Sequence, residues 1–410
     1  MTEVEIPDLR SLLVIGLDSV SLAASARKAG YQVFAVDHFG DQDLKRVCRE
    51  SLSVIKQMPG KTCGYLSRDF SPETLLHLTR ALLRRHEIDA VLLSSGLDDC
   101  SNILFELNNL APILGNHPNT IKKIRDKAEF FHELDRLGIP HPETAVAEDL
   151  EEVRKKAKDI GYPVVVKPWS GFGGAGVRKA TNLSELKQAL REVSLMDEKV
   201  LVQECISGTH ASVSLISSIS GNVTLTLNIQ LIGMHELGQR EPFGYCGNIV
   251  PLSAPKTVVE KCESMVKKIT HHFGLVGSNG VDFVLSEEGI SYVIEVNPRF
   301  QGTLECVERV LGMNLVEAHV KACVQGVLPT MYKKTSVLWA RFILFAPQRL
   351  MVPELNIFEG IRDVPFPGVV IEEGEPLCSF VIEGPDKDYL LPKACETAGV
   401  IFNSCDYMIT

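Results

Sequence analysis

The chain's second half contains two apolar runs interrupted by residues that can do chemistry. Asp282 lies in "VGSNGVDFVLS", and Glu295, Asn297 and Arg299 alternate with Ile294 and Val296 in "SYVIEVNPRF". Strand side chains alternate faces, so the pattern predicts a core face carrying Ile294 and Val296 and a site face carrying the three polar residues. A carboxylate among valines and phenylalanines is costly to bury without a cation, and a divalent metal uses two carboxylates and an amide oxygen at once. Asp282, Glu295 and Asn297 offer that oxygen set. Arg299, on the same face, pairs with a carboxylate or steadies a transferring phosphoryl group. A surface ion pair of Arg299 with one acid is the plainer alternative, but it leaves Asn297 and the second carboxylate unexplained.

A second constellation begins at Lys167, which ends the apolar run "YPVVVKP" and is followed by a loop with Gly171, Gly173, Gly174 and Gly176 in six positions. Such a loop lets backbone N–H groups close on an anion, and the lysine adds a point charge, which together suit a phosphate cradle. A flexible hairpin loop is the competing explanation. No Gly-Lys-Ser/Thr follows, so it is not a Walker A loop. Further on, Gln203 and Glu204 sit at a strand break, where they either receive an exocyclic amine such as that of adenine or are solvated.

The elements that position these residues follow from hydrophobic periodicity. "LLVIGLDSVSLAASARKAGYQVFAVD" predicts a strand from Leu12 to Ile15, a turn at Gly16, a helix stopped at Gly30, and a strand ending at Asp37. Ser71 and Pro72 open a further helix, and "AVLLSSG" adds a buried strand, so a doubly wound parallel-sheet domain is expected over 1–115. Its first turn keeps only Gly16 of G-x-G-x-x-G, with Asp18 and Ser21 where the other glycines belong. A substrate-side or scaffold role is therefore favoured over dinucleotide binding. The run from His117 is expected to be one helix closed by Gly138, with Pro140 and Pro142 forming a junction. "DLEEVRKKAKDIG" predicts a solvated helix, and "SEEG" a tight turn between the two apolar strands. The last eighty or so residues predict short strands between Pro and Gly turns, hence a small β module. The long stretch "LIGMHELGQREPFGYCGNIVPL" suits either a substrate-binding loop, with His235, Glu236, Arg240 and Glu241 as contacts, or an exposed hairpin.

Composition narrows the classes. With 45% hydrophobic and 23% charged residues the chain is expected to fold throughout, in two or three domains. A net charge of −10 lacks the basic stripe that nucleic acid or an anionic membrane requires. The beginning "MTEVEIPDLR" has no signal-peptide character, and "SVLWARFILFAP" is too short and too charged to span a bilayer, so a cytoplasmic protein is expected. Eleven scattered cysteines without CxxC or zinc spacing argue against disulfides and structural zinc, and Cys306 and Cys323 are expected in the core. The lysines of "MYKKTSVLWAR" are expected to be solvated, in a linker.

Taken together, Lys127, Lys167, the glycine loop, Glu204, Asp282 and "EVNPR" resemble the ATP-grasp superfamily in order and spacing, over roughly residues 12 to 330. The "G-x-x-A-S-V-S" form of "ISGTHASVS" is similar to a subgroup of predicted carboligases, to which a tyramine–glutamate ligase is similar. The resemblance implies an α/β and α+β fold with a pre-ATP-grasp domain over 1–115. Two α+β subdomains over 116–330 would clamp ATP, followed by a small C-terminal β domain over 331–410. "PGVVIEEGEP" in that last segment resembles the terminal β domain of biotin-carboxylase-like and pyrrolysine-pathway enzymes, which would cover the ATP site or form the contact of a homodimer.

By the same resemblance Lys127 and Lys167 contact ATP phosphates, and the loop from Ser170 to Gly176 closes over them. Glu204, with neighbouring Gln203, holds adenine, and His210 stands where many relatives carry a ribose-binding glutamate. Asp282, Glu295 and Asn297 bind one or two Mg²⁺ (or Mn²⁺) ions. Arg299 and Lys167 serve catalysis, where positioning and electrostatics supply most of the effect. The implied reaction is ATP-dependent joining of a small carboxylic acid, such as glutamate, to an amine through an acyl phosphate. A bicarbonate-activating carboxylase and a non-catalytic ATP-binding regulatory protein are the alternatives.

Overall fold

The computed structural model describes residues 9–193, 199–330 and 337–408. The expectations for the first residues and for Lys333 and Lys334 lie outside the described residues.

Strands Ser11–Ile15, Gln32–Asp37, Glu50–Ser53 and Ala90–Leu93 form a parallel sheet with Ser11–Ile15 between Gln32–Asp37 and Ala90–Leu93. Every residue of Ser11–Ile15 is buried, as expected of a parallel strand covered on both faces. Leu13 and Ile15 pack under helix Pro72–Leu83, whose start is fixed by Ser71 accepting from the Thr74 N–H at 3.1 Å. Leu12 and Val14 pack on the opposite face, in one core with Leu304, Val307 and Leu315 of the helix pair Leu304–Leu311 and Leu315–Gln325. That core continues to Ile216 and Leu225 on a second sheet, so apolar packing fixes the first domain against the rest.

The run from His117 forms two helices, Pro118–Arg125 and Lys127–Leu137, instead of the single helix expected. Asp126 takes an extended conformation and caps the second by accepting from the Glu129 N–H at 3.2 Å. An aspartate that bonds the backbone locally competes with a continuous helix.

Strands Thr144–Ala147, Val200–Glu204, Val164–Pro168 and Arg178–Ala180 make a four-stranded antiparallel sheet. Val164, Val166, Val200 and Val202 pack under helices Leu150–Ile160 and Leu183–Val193. Alternation therefore turns Lys167, Leu201 and Gln203 to the other face, where they line a cleft with Glu295.

The largest sheet has eight strands. Gly208–Ser218, Gly221–Ile232, Tyr245–Val250, Gly277–Ser286 and Ser291–Asn297 are joined by Leu338–Phe345, Pro376–Gly384 and Ile361–Arg362. The C-terminal region is thus rich in strand, but three of its strands extend this sheet. Among the described residues three short ones, Leu350–Met351, Val370–Ile371 and Asp406–Tyr407, pair apart from it. The region also contains helix Lys387–Ser404, unexpected from the sequence, which buries Leu390, Ala394, Ala398 and Ile401.

One face of the large sheet, with Val213, Val281 and Val293, packs on helix Lys256–Phe273. The strand Ser291–Asn297 departs from strict alternation: Asp282 pairs with Glu295 but Phe283 with Val293, leaving Ile294 as a bulge. Val293 and Val296 are the buried apolar residues of this strand, and Ile294 turns to the cleft beside Glu295, contrary to the expected core position.

Candidate active site

The other face of the large sheet carries a row of polar side chains. Directly paired strand residues share a face, and the pairs are Glu295 with Asp282, Asp282 with Ser212, Ser212 with Asn228, Gln230 with Asn248, and Asn248 with Arg341. The row crosses six strands. Asn228 Oδ1 and Asp282 Oδ1 in it are buried without a hydrogen-bond partner, which marks the row as a surface built to meet a bound group.

At one end the expected metal ligands come together. Asn297 Nδ2 donates to Asp282 Oδ2 at 3.0 Å, and Arg299 Nη2 donates to Asn297 Oδ1 at 3.1 Å. Burial first, and then the Glu295 charge, pushes the Asp282 carboxyl up to about 7, against the pull of Gln230, Asn297 and Arg299. Gln230 faces the carboxylate without closing a hydrogen bond of ordinary geometry to Oδ1. Two facing carboxylates with an orphaned oxygen fit a divalent cation. Asn297 contributes its oxygen to such an ion only by turning from Arg299.

Above this sheet stand the two expected lysines. Burial pushes Lys167 down to about 8, with the Glu295 charge opposing and Lys127 reinforcing the shift. A bound polyphosphate would favour the charged form of Lys167. Lys127 Nζ donates to Pro168 O at 3.5 Å, which ties it to the start of the glycine loop. His210 is half-buried nearby, lowered by burial and then by the Lys167 charge.

The glycine loop, beginning at Ser170, is docked rather than free. The Gly171 N–H donates to Asp99 Oδ2 at 3.2 Å and the Gly176 N–H to Glu241 Oε2 at 3.2 Å, while Gly173 O accepts from the Tyr245 N–H at 2.9 Å. Carboxylates thus occupy loop N–H groups of the kind that cradle an anion. Gly174 has φ +76°, and a Cβ there would lie 1.9 Å from Phe243 O, so only glycine lets the two backbones approach.

The expected adenine contacts are placed less directly. Gln203 lines the cleft, but its amide nitrogen donates to Thr144 Oγ1 at 2.8 Å. Glu204 is half-buried at its strand's end and accepts from the Glu143 N–H at 3.3 Å. Of the long central stretch, Glu241 pairs with Arg178 and the glycine loop, whereas Arg240 turns to Glu373 and Pro347 O. Arg240 therefore fastens the C-terminal region and does not face the cleft. His235 and Glu236 lie in a short 3₁₀ turn, and Glu236 is exposed.

Three charged residues not singled out from the sequence enter the site. Asp98 and Asp99 follow the strand Ala90–Leu93 of the first domain. Asp98 Oδ2 accepts from Arg299 Nε at 2.7 Å, and Asp99 Oδ1 from Arg125 Nε at 2.6 Å. Arg125 also stands 3.5 Å from Glu295 Oε2. Burial alone would raise the Asp99 carboxyl, but Arg125, Lys127 and the Gly171 N–H hold it below its usual range. The adjacent acids after a parallel strand's carboxyl end were the available signal, since such ends gather binding residues.

Residues 124–303 match the family described as ATP-grasp domain. The chain is 25% identical over 375 residues to an uncharacterised protein of Methanocaldococcus jannaschii, covering 90% of this chain and 87% of that one. It is 27% identical over 251 residues to the arginine-specific carbamoyl phosphate synthase large chain of Bacillus subtilis, covering 60% of this chain. The match spans only 24% of that large chain's length. Among solved structures, the biotin carboxylase–β,γ-ATP complex of Campylobacter jejuni superposes with a TM-score of 0.74 at 18% identity, over 97% of this chain and 92% of that one. Residues 124–303 thus match an ATP-grasp domain, and the chain has the ATP-grasp fold, its architecture shared with that structure along nearly the whole length.

Proposed function

We propose that the protein is an ATP- and Mg²⁺-dependent ligase that activates a small carboxylic acid and joins it to an amine, releasing ADP and phosphate. The observation that carries this reading is the Asp282–Glu295 pair, with its buried orphaned oxygen, set opposite Lys127 and Lys167. When bound, Mg-ATP supplies the phosphoryl group and the metal's charge. Lys127, Lys167 and the Ser170–Gly176 loop hold the phosphates, Glu204 and His210 lie along the nucleoside, and Asp282, Glu295 and Asn297 hold the metal. Arg299, fixed by Asp98, faces the transferring group and spreads its charge. The acid's carboxylate oxygen takes the terminal phosphoryl group of ATP as the bond to ADP breaks, giving the acyl phosphate; the amine nitrogen then attacks its carbonyl carbon, the C–O bond to phosphate breaks, and the amide forms as the nitrogen gives up a proton.

The "G-x-x-A-S-V-S" strand supports an amide-forming enzyme similar to tyramine–glutamate ligase, with glutamate as the acid. A cytoplasmic, homodimeric enzyme with domains at 1–115, 116–330 and 331–410 accords with this reading. The likeness to carbamoyl phosphate synthase and biotin carboxylase favours bicarbonate as a second reading of the activated acid.

The test is Mg-dependent ADP release with single amino acids, other small acids and bicarbonate, each with and without mixed amines, with product mass measured. A product equal in mass to acid plus amine less water is expected. ADP release with bicarbonate alone, and with no other acid, would replace this reading with the second.

A further inference from the structure

The polar row ends at Arg341, which is 4% exposed and stands among carboxylates from distant parts of the chain. Its Nη2 donates to Asp18 Oδ2 at 2.9 Å and to Asp363, its Nη1 to Ser21 Oγ at 3.2 Å, and its Nε to Ser379 Oγ at 3.1 Å. Asp18 and Ser21 are the residues that replace glycines in the first β–α turn, whose Gly16 admits the close approach of Ser95 O. Asp37, Asp41 and Asp43 lie against the same pocket. Asp43 accepts the backbone N–H groups of Asp363 and Val364 at 2.9 and 3.1 Å, and Asp41 accepts from Gln57 Nε2 at 2.8 Å.

Arg341 pairs with Asp18 and Asp363, and with Asp37, Asp41 and Asp43 nearby the acids outnumber it: burial, and then their mutual charges, raise the Asp37 and Asp41 carboxyls, a shift that a bound cation would relieve. Asp37 is 0% exposed; its Oδ1 accepts from the Gly40 N–H at 2.9 Å, but its Oδ2 has no hydrogen-bond partner. Asp363 Oδ1 is likewise buried and unpartnered. Buried acceptors of this kind call for a donor that is part of the working molecule. Among the described residues, no three acidic, histidine or cysteine side chains converge as metal ligands. An ammonium group, with three donors and N–H···O contacts of about 2.8 Å, suits separate carboxylate oxygens.

The pocket lies at the carboxyl ends of the parallel strands, where open α/β sheets bind ligands. It is also joined to the reaction end: the Tyr245 hydroxyl, which accepts from Asn248 Nδ2, is within electrostatic reach of both Arg341 and Asp282. We propose that the pocket of Asp18, Asp37 and Asp363 beside Arg341 binds a second cationic group of the amine substrate, so that the enzyme takes a diamine or a basic amino acid in preference to a monoamine. The inference rests on the ligase reading for the word substrate, while the pocket's affinity is measurable without turnover.

The experiment is calorimetric titration of the full chain at pH 7.5 with 1,4-diaminobutane and 1,5-diaminopentane, against 1-aminobutane and 1-aminopentane, in wild type, Asp37→Asn and Asp363→Asn. At least one diamine is expected to bind tenfold or more tightly than the monoamine of equal length, each variant removing most of that preference without changing Mg-ATP affinity. Equal affinity for diamines and monoamines, or an unchanged preference in both variants, would overturn the proposal. Diamine binding as expected, with no ADP release for any acid and amine pair, would leave the pocket standing and remove the ligase reading.

Discussion

Asp98 Oδ2 accepts from Arg299 Nε at 2.7 Å, so the loop after strand Ala90–Leu93 holds the guanidinium that we propose faces the transferring phosphoryl group. Both side chains are largely buried, and Arg299 is held on two further sides by Phe300 O and Asn297 Oδ1. Asp98→Asn keeps the shape but loses the charge that orients Arg299. It should lower kcat about tenfold with the KM for ATP nearly unchanged, whereas Arg299→Ala should lower kcat by about 10²–10³, as for loss of one transition-state donor. A rise in KM alone in Asp98→Asn would show that the ion pair serves nucleotide binding.

The Asp282 carboxyl, pushed up to about 7, predicts a proton signature for metal binding. The metal binds the ionised acid, so below pH 7 a proton leaves as the metal enters, and well above pH 7 none does. Calorimetry of Mg²⁺ binding with nucleotide, in buffers of different ionisation enthalpy, should show release rising toward one proton between pH 8 and 6. Asp282→Asn should abolish it, and Glu295→Gln, which removes the neighbouring charge, should shift it to lower pH while weakening the metal.

Lys167 predicts the opposite exchange with nucleotide. Its folded form sits at about 8, below the ordinary lysine range, because burial disfavours the charge. A polyphosphate stabilises that charge, so nucleotide binding takes up a proton above pH 8 and weakens as pH rises. ATP affinity measured at pH 7.5 and 9 should fall in wild type. It should be weaker but flat in Lys167→Ala, by about 10- to 100-fold at the lower pH for loss of a charged phosphate contact.

Gly174→Ala tests the docked loop. The new Cβ would meet Phe243 O, a backbone atom that cannot rotate away, at a residue with φ +76°. Turnover should fall at least tenfold with circular dichroism unchanged, and hydrogen exchange should rise at 171–176 and 241–245. Full turnover would show that the docking is dispensable.

The sequence exposed what is local. The apolar run Leu12–Ile15, the Ser71 cap and the lysine at the end of "VVVKP" follow from propensity, capping and alternation, and the structure places them as those rules require. The bulge at Ile294 was hidden because it depends on the register with Phe283, and register belongs to two strands. Helix Lys387–Ser404 was hidden by Pro392 and Gly399 within it; its apolar face is stabilised by packing under the strand Pro376–Gly384. Arg341, Asp18 and Asp363 could not be joined by reading along the chain, because their spacing of more than 300 residues between Asp18 and the others carries no pattern. Only the folded arrangement of the parallel domain against the large sheet makes them neighbours.

Asp37 gives a prediction about stability that is independent of activity. Burial, and after it the charges of Asp18, Asp363 and Asp43, raises its carboxyl well above the usual range. An acid raised in the folded state binds a proton more tightly there than in the unfolded chain. Its contribution is therefore fully present below the unfolded value and is lost as pH rises through the folded one. Asp37→Asn supplies a neutral side chain of the same size at every pH, so the variant should melt above wild type at pH 8, with the gap closing toward pH 5. Taking the difference between the two proteins removes the opposing effect of His38 and His319, which burial lowers to about 4 and which cost stability below pH 6.5 in both. A gap independent of pH would mean that Asp37 keeps its proton, or its charge, throughout. Saturating diamine at pH 8 should narrow the gap by raising wild type alone, because the ammonium stabilises a carboxylate that the variant lacks.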